Sequence, residues 1–231
     1  VRRSFPQTSG TIALAGLSAP VDVLRDERGI PHVYADTPED LFFAQGYVHA
    51  QDRFWEMDFR RHITAGRLSE MFGKSQIETD KFLRISGWRR VAEKELPLLS
   101  AETRRNLDSY AKGVNAYLAD HSGAAVSFEY AVLGLQNPSY TIEPWTAVDS
   151  VAWLKAMAWD LHANYDDELN RGHAYVTLRD VEVVEELFPD YPEGHEPIVD
   201  AAPEPDVEVQ SAAATSSAPA SWRSRPRTET S

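Results

Sequence analysis

Hydrophobic and polar positions alternate near the start of the chain and then change to helical spacing. Val21, Val23 and Leu24 precede the charged turn Asp26-Glu27-Arg28-Gly29, and Ile30, Val33 and Tyr34 follow it. That pattern predicts a β-hairpin in which Gly29 can take a positive φ, with Pro31 placing the second strand at an edge. Thr37-Pro38-Glu39-Asp40 then sets up a helix start: a capping hydroxyl, a proline suited to the first helical position, and two acids at the positive end of the dipole. Leu41, Gln45, Val48, Asp52, Trp55 and Phe59 recur at helical spacing behind it. Because two of those six positions are polar, the core face either buries Gln45 and Asp52 with partners or is rotated toward Phe42, Val48 and Trp55.

Helical spacing returns after Ser100, where Leu107, Tyr110, Ala111, Val114, Tyr117 and Leu118 share a face until His121-Ser122-Gly123. Asn137 to Pro144 reads as a loop. Thr146-Ala147-Val148-Asp149 resembles a capping box with Asp in place of Glu, and it opens a helix through Val151, Trp153, Leu154, Met157 and Trp159 that is apolar almost all round until Asp160. Such a helix must be covered on most sides, by this chain or by a partner. After about Val199 the chain becomes small, polar and proline-containing, so residues 200–231 are expected to form a disordered spacer behind a folded unit of residues 1–199.

The 231 residues, 42% hydrophobic and 10% aromatic, suffice for a sizeable core, so the chain is expected to be globular. A formal net charge of −13 repels phosphate backbones and anionic lipid, which argues against nucleic acid or a membrane surface as partner. No apolar run approaches the roughly 18 residues of a membrane helix, and no apolar signal region follows the basic start. With no Cys there is neither a disulfide framework nor thiol catalysis.

Candidate chemistry is sparse. The seven histidines, His32, His49, His62, His121, His162, His173 and His195, form no H-x-x-x-H pair, and no G-x-S-x-G elbow marks a serine nucleophile. The most suggestive cluster runs from Met157 to Glu168. On an uninterrupted helix, Asp160, Leu161 and Glu168 fall near the face of Met157, so an apolar surface and a carboxylate would share one side. That suits an apolar ligand beside a hard cation such as Ca²⁺; the alternative is a solvated acidic helix end.

The stretch VLRDERGIPHVYADTPEDLFFAQGYVHAQDRFWEMDFRRHITAGRLSEMFG, with PWTAVDSVAWLKAMAWDL and MAWDLHANYDDELNR behind it, resembles the α subunit of the penicillin acylase family over about residues 10 to 199. The resemblance implies an α+β fold: a mostly helical α chain completing the αββα core of an N-terminal-nucleophile hydrolase. It further implies an amidohydrolase that cleaves N-acyl amides, penicillins or acyl-homoserine lactones among them, and whose nucleophile is the N-terminal Ser of a β subunit cut from the same precursor. That serine's own amine is the base, so no catalytic residue is assigned to this chain, Ser231 included.

By the same resemblance this chain supplies a wall of the acyl pocket and one ligand of a Ca²⁺ shared with the β subunit. Met157 matches the pocket methionine, and Leu161 stands where phenylacetyl-specific relatives carry Phe, which puts the acyl preference in question. Asp160 stands where benzylpenicillin-type relatives carry Arg. Glu168 matches the calcium glutamate, one residue further from Met157 than in the best-known relatives, so Asp167 competes for that role. The family habit implies export to the periplasm or medium. A non-catalytic domain that binds peptide or polysaccharide through its Trp and Phe surfaces is the alternative of another class.

Overall fold

The computed structural model describes residues 4–161, 164–189 and 194, and it is helical apart from one two-stranded sheet. The described residues fall into two compact units, one ending at Ala158 and the other starting at Trp159.

In the first unit the hairpin forms as its pattern dictates. Strand β1 (Asp22–Arg25) pairs antiparallel with β2 (Pro31–Tyr34) in the register Val23 to Val33 and Leu24 to His32. Gly29 takes φ 77° in the turn, where Asp26 Oδ1 accepts the amides of Arg28 and Ile30, both at 2.9 Å. Helix α1 (Pro38–Ala65) begins where expected: Thr37 Oγ1 accepts the amide of Asp40 at 3.1 Å, and Pro38 occupies the first turn. Asp40 also anchors the preceding segment, accepting the amides of Ser18 and Ala19 at 2.9 and 3.1 Å.

Of the residues its hydrophobic stripe suggests for the core face of α1, Val48 alone is fully buried. Leu41 and Gln45 are exposed and Phe42 and Trp55 half-buried, while Tyr47, Ala50 and Phe54 face the main core and Phe43 is buried as well. The reason is that α1 is covered on two sides. Ala44 and Val48 pack on Val21 and Val23 of the hairpin, and a second face meets helix α5 (Ala101–Asp120) through glycines. A Cβ on Gly46 would stand 2.1 Å from the Tyr110 carbonyl oxygen, and one on Gly113 1.8 Å from that of Phe43. The two backbones therefore touch with no side chain between them. Asp52 is not a core residue either: its carboxylate receives both guanidinium nitrogens of Arg25 at 2.9 and 2.8 Å, tying the hairpin to α1.

Short helices follow that hydrophobic spacing did not reveal: α2 (Leu68–Phe72), α3 (Ile77–Ser86), α4 (Trp88–Glu95) and, after α5, α6 (Phe128–Gln136). Asp80 of α3 substitutes for a missing N-cap on α2, accepting the amides of Leu68 and Ser69 at 2.7 and 2.8 Å. Helix α5 starts with Ser100 Oγ accepting the Thr103 amide at 3.0 Å and buries Ala111, Val114 and Tyr117, as its periodicity predicts. Helix α7 (Ala147–Leu161) closes the first unit and enters the second.

The second unit holds the end of α7, helix α8 (Tyr165–Leu178) and helix α9 (Val181–Leu187), with Trp159 and Tyr165 ring to ring at 4.9 Å. A single helix from Met157 to Glu168 does not exist, because α7 ends at Leu161 and α8 starts anew at Tyr165. The physical reason lies in Asp166, Asp167 and Glu168, all in the first turn of α8: three acids are stabilised at the positive end of a new dipole. The expected tail, residues 200–231, lies outside the described residues.

Candidate functional site

The start of α7 is set by a dense group of polar contacts. Asp149 Oδ2 accepts both the amide and the hydroxyl of Thr146 at 2.7 Å, and Arg89 reaches Oδ1 at 2.5 Å. Only half of the expected capping box forms, since the Thr146 hydroxyl donates to Asp149 instead of accepting the Asp149 amide. One residue earlier, Asn115 of α5 clamps the main chain of Trp145: its Oδ1 accepts the amide at 2.7 Å and its Nδ2 donates to the carbonyl at 2.9 Å.

The loop from Asn137 to Pro144 that leads into α7 is held by charges buried in α1. Asp58, Arg61 and His62 are at most 2% exposed. The Asp58 carboxylate accepts the hydroxyls of Tyr130 at 2.7 Å and Tyr140 at 2.5 Å, and pairs with Arg61, whose Nη1 donates to the carbonyls of Glu143 and Pro144 at 3.0 and 2.9 Å. His62 Nδ1 sits 2.7 Å from the Asp58 carbonyl and 3.4 Å from its carboxylate. Arg67 adds a second grip, with Nη1 and Nη2 on the Glu143 carboxylate at 2.9 and 2.8 Å.

Burial alone would push the Asp58 carboxyl up, but the hydrogen bond with His62 and the charge of Arg61 outweigh it and hold the group well below the usual carboxylate range. Burial and the neighbouring Asp58 charge raise the Tyr130 and Tyr140 hydroxyls far above an ordinary phenol. Sequence reasoning missed this network. Its only local trace is the run Asp58, Arg61, His62 at helical spacing in MDFRRH. With Asp58, Arg61 and His62 buried and both carboxylate oxygens of Asp58 partnered, the cluster holds the loop that leads into α7.

Helix α7 buries Val151, Ala152 and Ala156 against Ala92 and neighbouring side chains, and the Lys155 ammonium pairs with Glu95. The opposite side is bare: Leu154 is 62% exposed, Met157 39% and Leu161 76%. Residues 154, 157 and 161 fall on one stripe of a helix, so the predicted pocket residues Met157 and Leu161 share an apolar face, with Asp160 exposed beside it. Glu168 and Asp167 are exposed in the first turn of α8, with Glu168 donating its amide to the Asn164 carbonyl at 3.0 Å.

Ca²⁺ takes six to eight oxygens, and among the described residues no group of three His, Cys, Asp or Glu is arranged to hold a metal. Glu168 and Asp167 could each give a cation one carboxylate, and the described residues around them do not complete a coordination shell. The histidines with identified partners bind oxygens of Asp, Tyr or main chain: His32 with Asp26, His49 with Tyr110, His62 as above and His121 with the Tyr117 carbonyl. His162 and His195 lie outside the described residues.

The described residues thus combine buried, paired charges with a bare apolar stripe on α7. The penicillin amidase family model matches residues 20–224, and the chain belongs to that family.

Penicillin acylase 2 proenzyme of Pseudomonas sp. (strain SE83) is 38% identical over 157 residues, which make up 68% of this chain and 19% of that protein. Acyl-homoserine lactone acylase QuiP of Pseudomonas aeruginosa is 34% identical over 166 residues, 72% of this chain and 19% of that protein. The chain thus spans about a fifth of the length of these curated relatives. Among solved structures, thermostable penicillin G acylase from Alcaligenes faecalis aligns over 80% of this chain and 100% of the matched chain, with a TM-score of 0.64 and 25% identity. The expected α+β, mostly helical fold and the family are both borne out.

Proposed function

We propose that this chain is the α subunit of a two-chain amidohydrolase that cleaves N-acyl amides, and that its part is to form one wall of the acyl pocket. The observation that carries the proposal is the bare stripe Leu154, Met157 and Leu161 on a helix whose start is fixed by buried charge pairs. A wall that must discriminate acyl groups by fit needs rigid support, and displacement by an ångström can cost about a hundredfold in rate. Membership in a family whose curated members are much longer acylases supports a partner of that kind.

In this reading the N-terminal Ser hydroxyl of the β subunit attacks the amide carbonyl while its own α-amine takes the proton. That proton passes to the amide nitrogen as the C–N bond breaks and the product amine departs, leaving an acyl-serine ester; water then attacks the ester, releasing the acyl group as a carboxylate and restoring the serine hydroxyl. Met157 and Leu161 contact the acyl chain and exclude water from it; Asp160 faces the leaving-group side. Ca²⁺, held by Glu168 or Asp167 together with oxygens of the partner, would supply cross-chain structural support. Leu161 offers an aliphatic, flexible wall, which favours a linear acyl chain over an aromatic one.

Both a β-lactam nucleus and a homoserine lactone are leaving groups of the acylases named above. The enzyme works outside the cytoplasm. The test is hydrolysis by the assembled α/β enzyme of phenylacetyl, phenoxyacetyl, glutaryl and long-chain acyl amides. Turnover of long-chain amides is expected; an assembled enzyme inert toward all four classes would refute the proposal.

A further inference from the structure

Helices α1, α5 and α7 enclose a cleft of about 470 Å³ that the acyl-pocket reading does not use. Its apolar walls are Phe42, Met57, Leu107, Tyr110, Trp145 and Trp153, and Arg61 and Asp149 line it as well. Two further polar groups of the lining, Arg60 and Asn106, have no ionic or hydrogen-bonding partner among the described residues. The Arg60 guanidinium, exposed at the mouth of the cleft, lies 4.2 Å over the Trp153 ring, and no carboxylate among the described residues pairs with it, although the chain as a whole carries 36 acids against 23 Lys and Arg. Asn106 lines the same cleft, and its buried Oδ1 accepts no hydrogen bond among the described residues. A buried acceptor left without a donor costs about 1–3 kcal/mol, which an incoming N–H would recover. On α7 the cleft residues Ser150 and Trp153 fall on the same helix face as Met157.

We infer that this cleft seats a segment of the β subunit that presents an apolar side chain to the Trp153 and Leu107 walls, a carboxylate to Arg60 and an N–H to Asn106 Oδ1. The inference rests on the two-chain reading above. A peptide segment of a partner is the occupant because curated relatives have some four fifths of their length beyond the matched region, and because the unmatched cation and unmatched acceptor call for an acid and an amide donor together. An apolar anchor flanked by a complementary charge is a common composition of a protein interface.

The test uses the assembled enzyme. A photo-reactive benzophenone side chain placed at Arg60 is expected to cross-link to a β peptide containing Asp or Glu, and Trp153 is expected to resist hydroxyl-radical labelling. Arg60→Glu should weaken α/β association by on the order of thirtyfold or more, while Lys81→Glu, at an exposed site on α3, leaves it unchanged. Cross-links confined to this chain overturn the inference, as do full labelling of Trp153 or a protected Trp153 with no link to β, which would mean a small molecule fills the cleft. If those results come from an enzyme that hydrolyses acyl amides, the docking inference fails alone; if no β partner assembles, the two-chain reading fails with it.

Discussion

Gly46 gives the sharpest test of the fold that supports the site, because two effects of one substitution have opposite signs. In an exposed helix interior, Gly→Ala stabilises by about 0.5–1 kcal/mol through propensity. At Gly46 the added Cβ would stand 2.1 Å from the Tyr110 carbonyl oxygen and 3.1 Å from the Val114 amide nitrogen, whereas ordinary contact starts near 3.4 Å. Both atoms are backbone of α5, so no rotamer change relieves the clash, and α1 must part from α5 by more than about 1 Å. A gap of that size forfeits about a quarter to a half of the dispersion energy at each contact it opens, and overpacking typically costs about 1–3 kcal/mol, occasionally more.

The expected net effect of Gly46→Ala is a loss of about 2 kcal/mol after the propensity gain is allowed for. Amide exchange across Phe43 to Phe54 in the assembled protein should then be faster by about thirtyfold. Gly134 of α6 is the matched control: nothing lies within 4 Å of its added Cβ, so Gly134→Ala should slow exchange in its helix or leave it alone. Equal effects at both sites, or slower exchange with Gly46→Ala, would refute the close approach of α1 and α5.

Other predictions concern the charge network and the wall. Asp58→Ala should destabilise by about 3–5 kcal/mol in denaturant titrations, because it leaves Arg61 buried and unpaired and two tyrosine hydroxyls without an acceptor. Asp58 also sets an acid limit. Its folded-state pKa is depressed, so its contribution is complete above the unfolded carboxylate value of about 3.9 and is lost as pH falls through the folded one; stability measured from pH 5 downward should fall less steeply in Asp58→Asn than in the native protein. Leu161→Phe should raise kcat/KM for phenylacetyl amides relative to long-chain amides by about tenfold, read as a ratio on one preparation. Glu168→Ala should lower the Ca²⁺ content of the assembled enzyme, and unchanged content would remove Glu168 from the site.

What could be read in the sequence was local. The hairpin turn at Asp26 to Gly29, the Thr37 cap, the helix after Ser100 and the start at Thr146 each depend on residues within a few positions, and each is found in the structure. The core face of α1 could not be read from hydrophobicity, since its closest contacts are made by Gly46 and by Gly113 on the opposing helix, which a hydrophobic stripe does not register. Asp58, Arg61 and His62 look like an exposed charged face. They are buried because Tyr130 and Tyr140, 72 and 82 residues further along, complete the network. The acids from Asp166 to Glu168 were read as the tail of one helix, and they are the head of another. Met157 and Leu161 could be singled out only through family resemblance, because an apolar stripe that faces a partner has the same pattern as one that faces a core.

The central claim is that this chain shapes the pocket while another chain attacks. An activity-based acyl probe applied to the assembled enzyme, followed by peptide mass spectrometry, tests it directly. The account predicts a single acylated serine at the N-terminus of the β subunit and no acylation within residues 1–231. An acyl adduct on any residue of this chain, or turnover of an acyl amide by this chain without its partner, would contradict it.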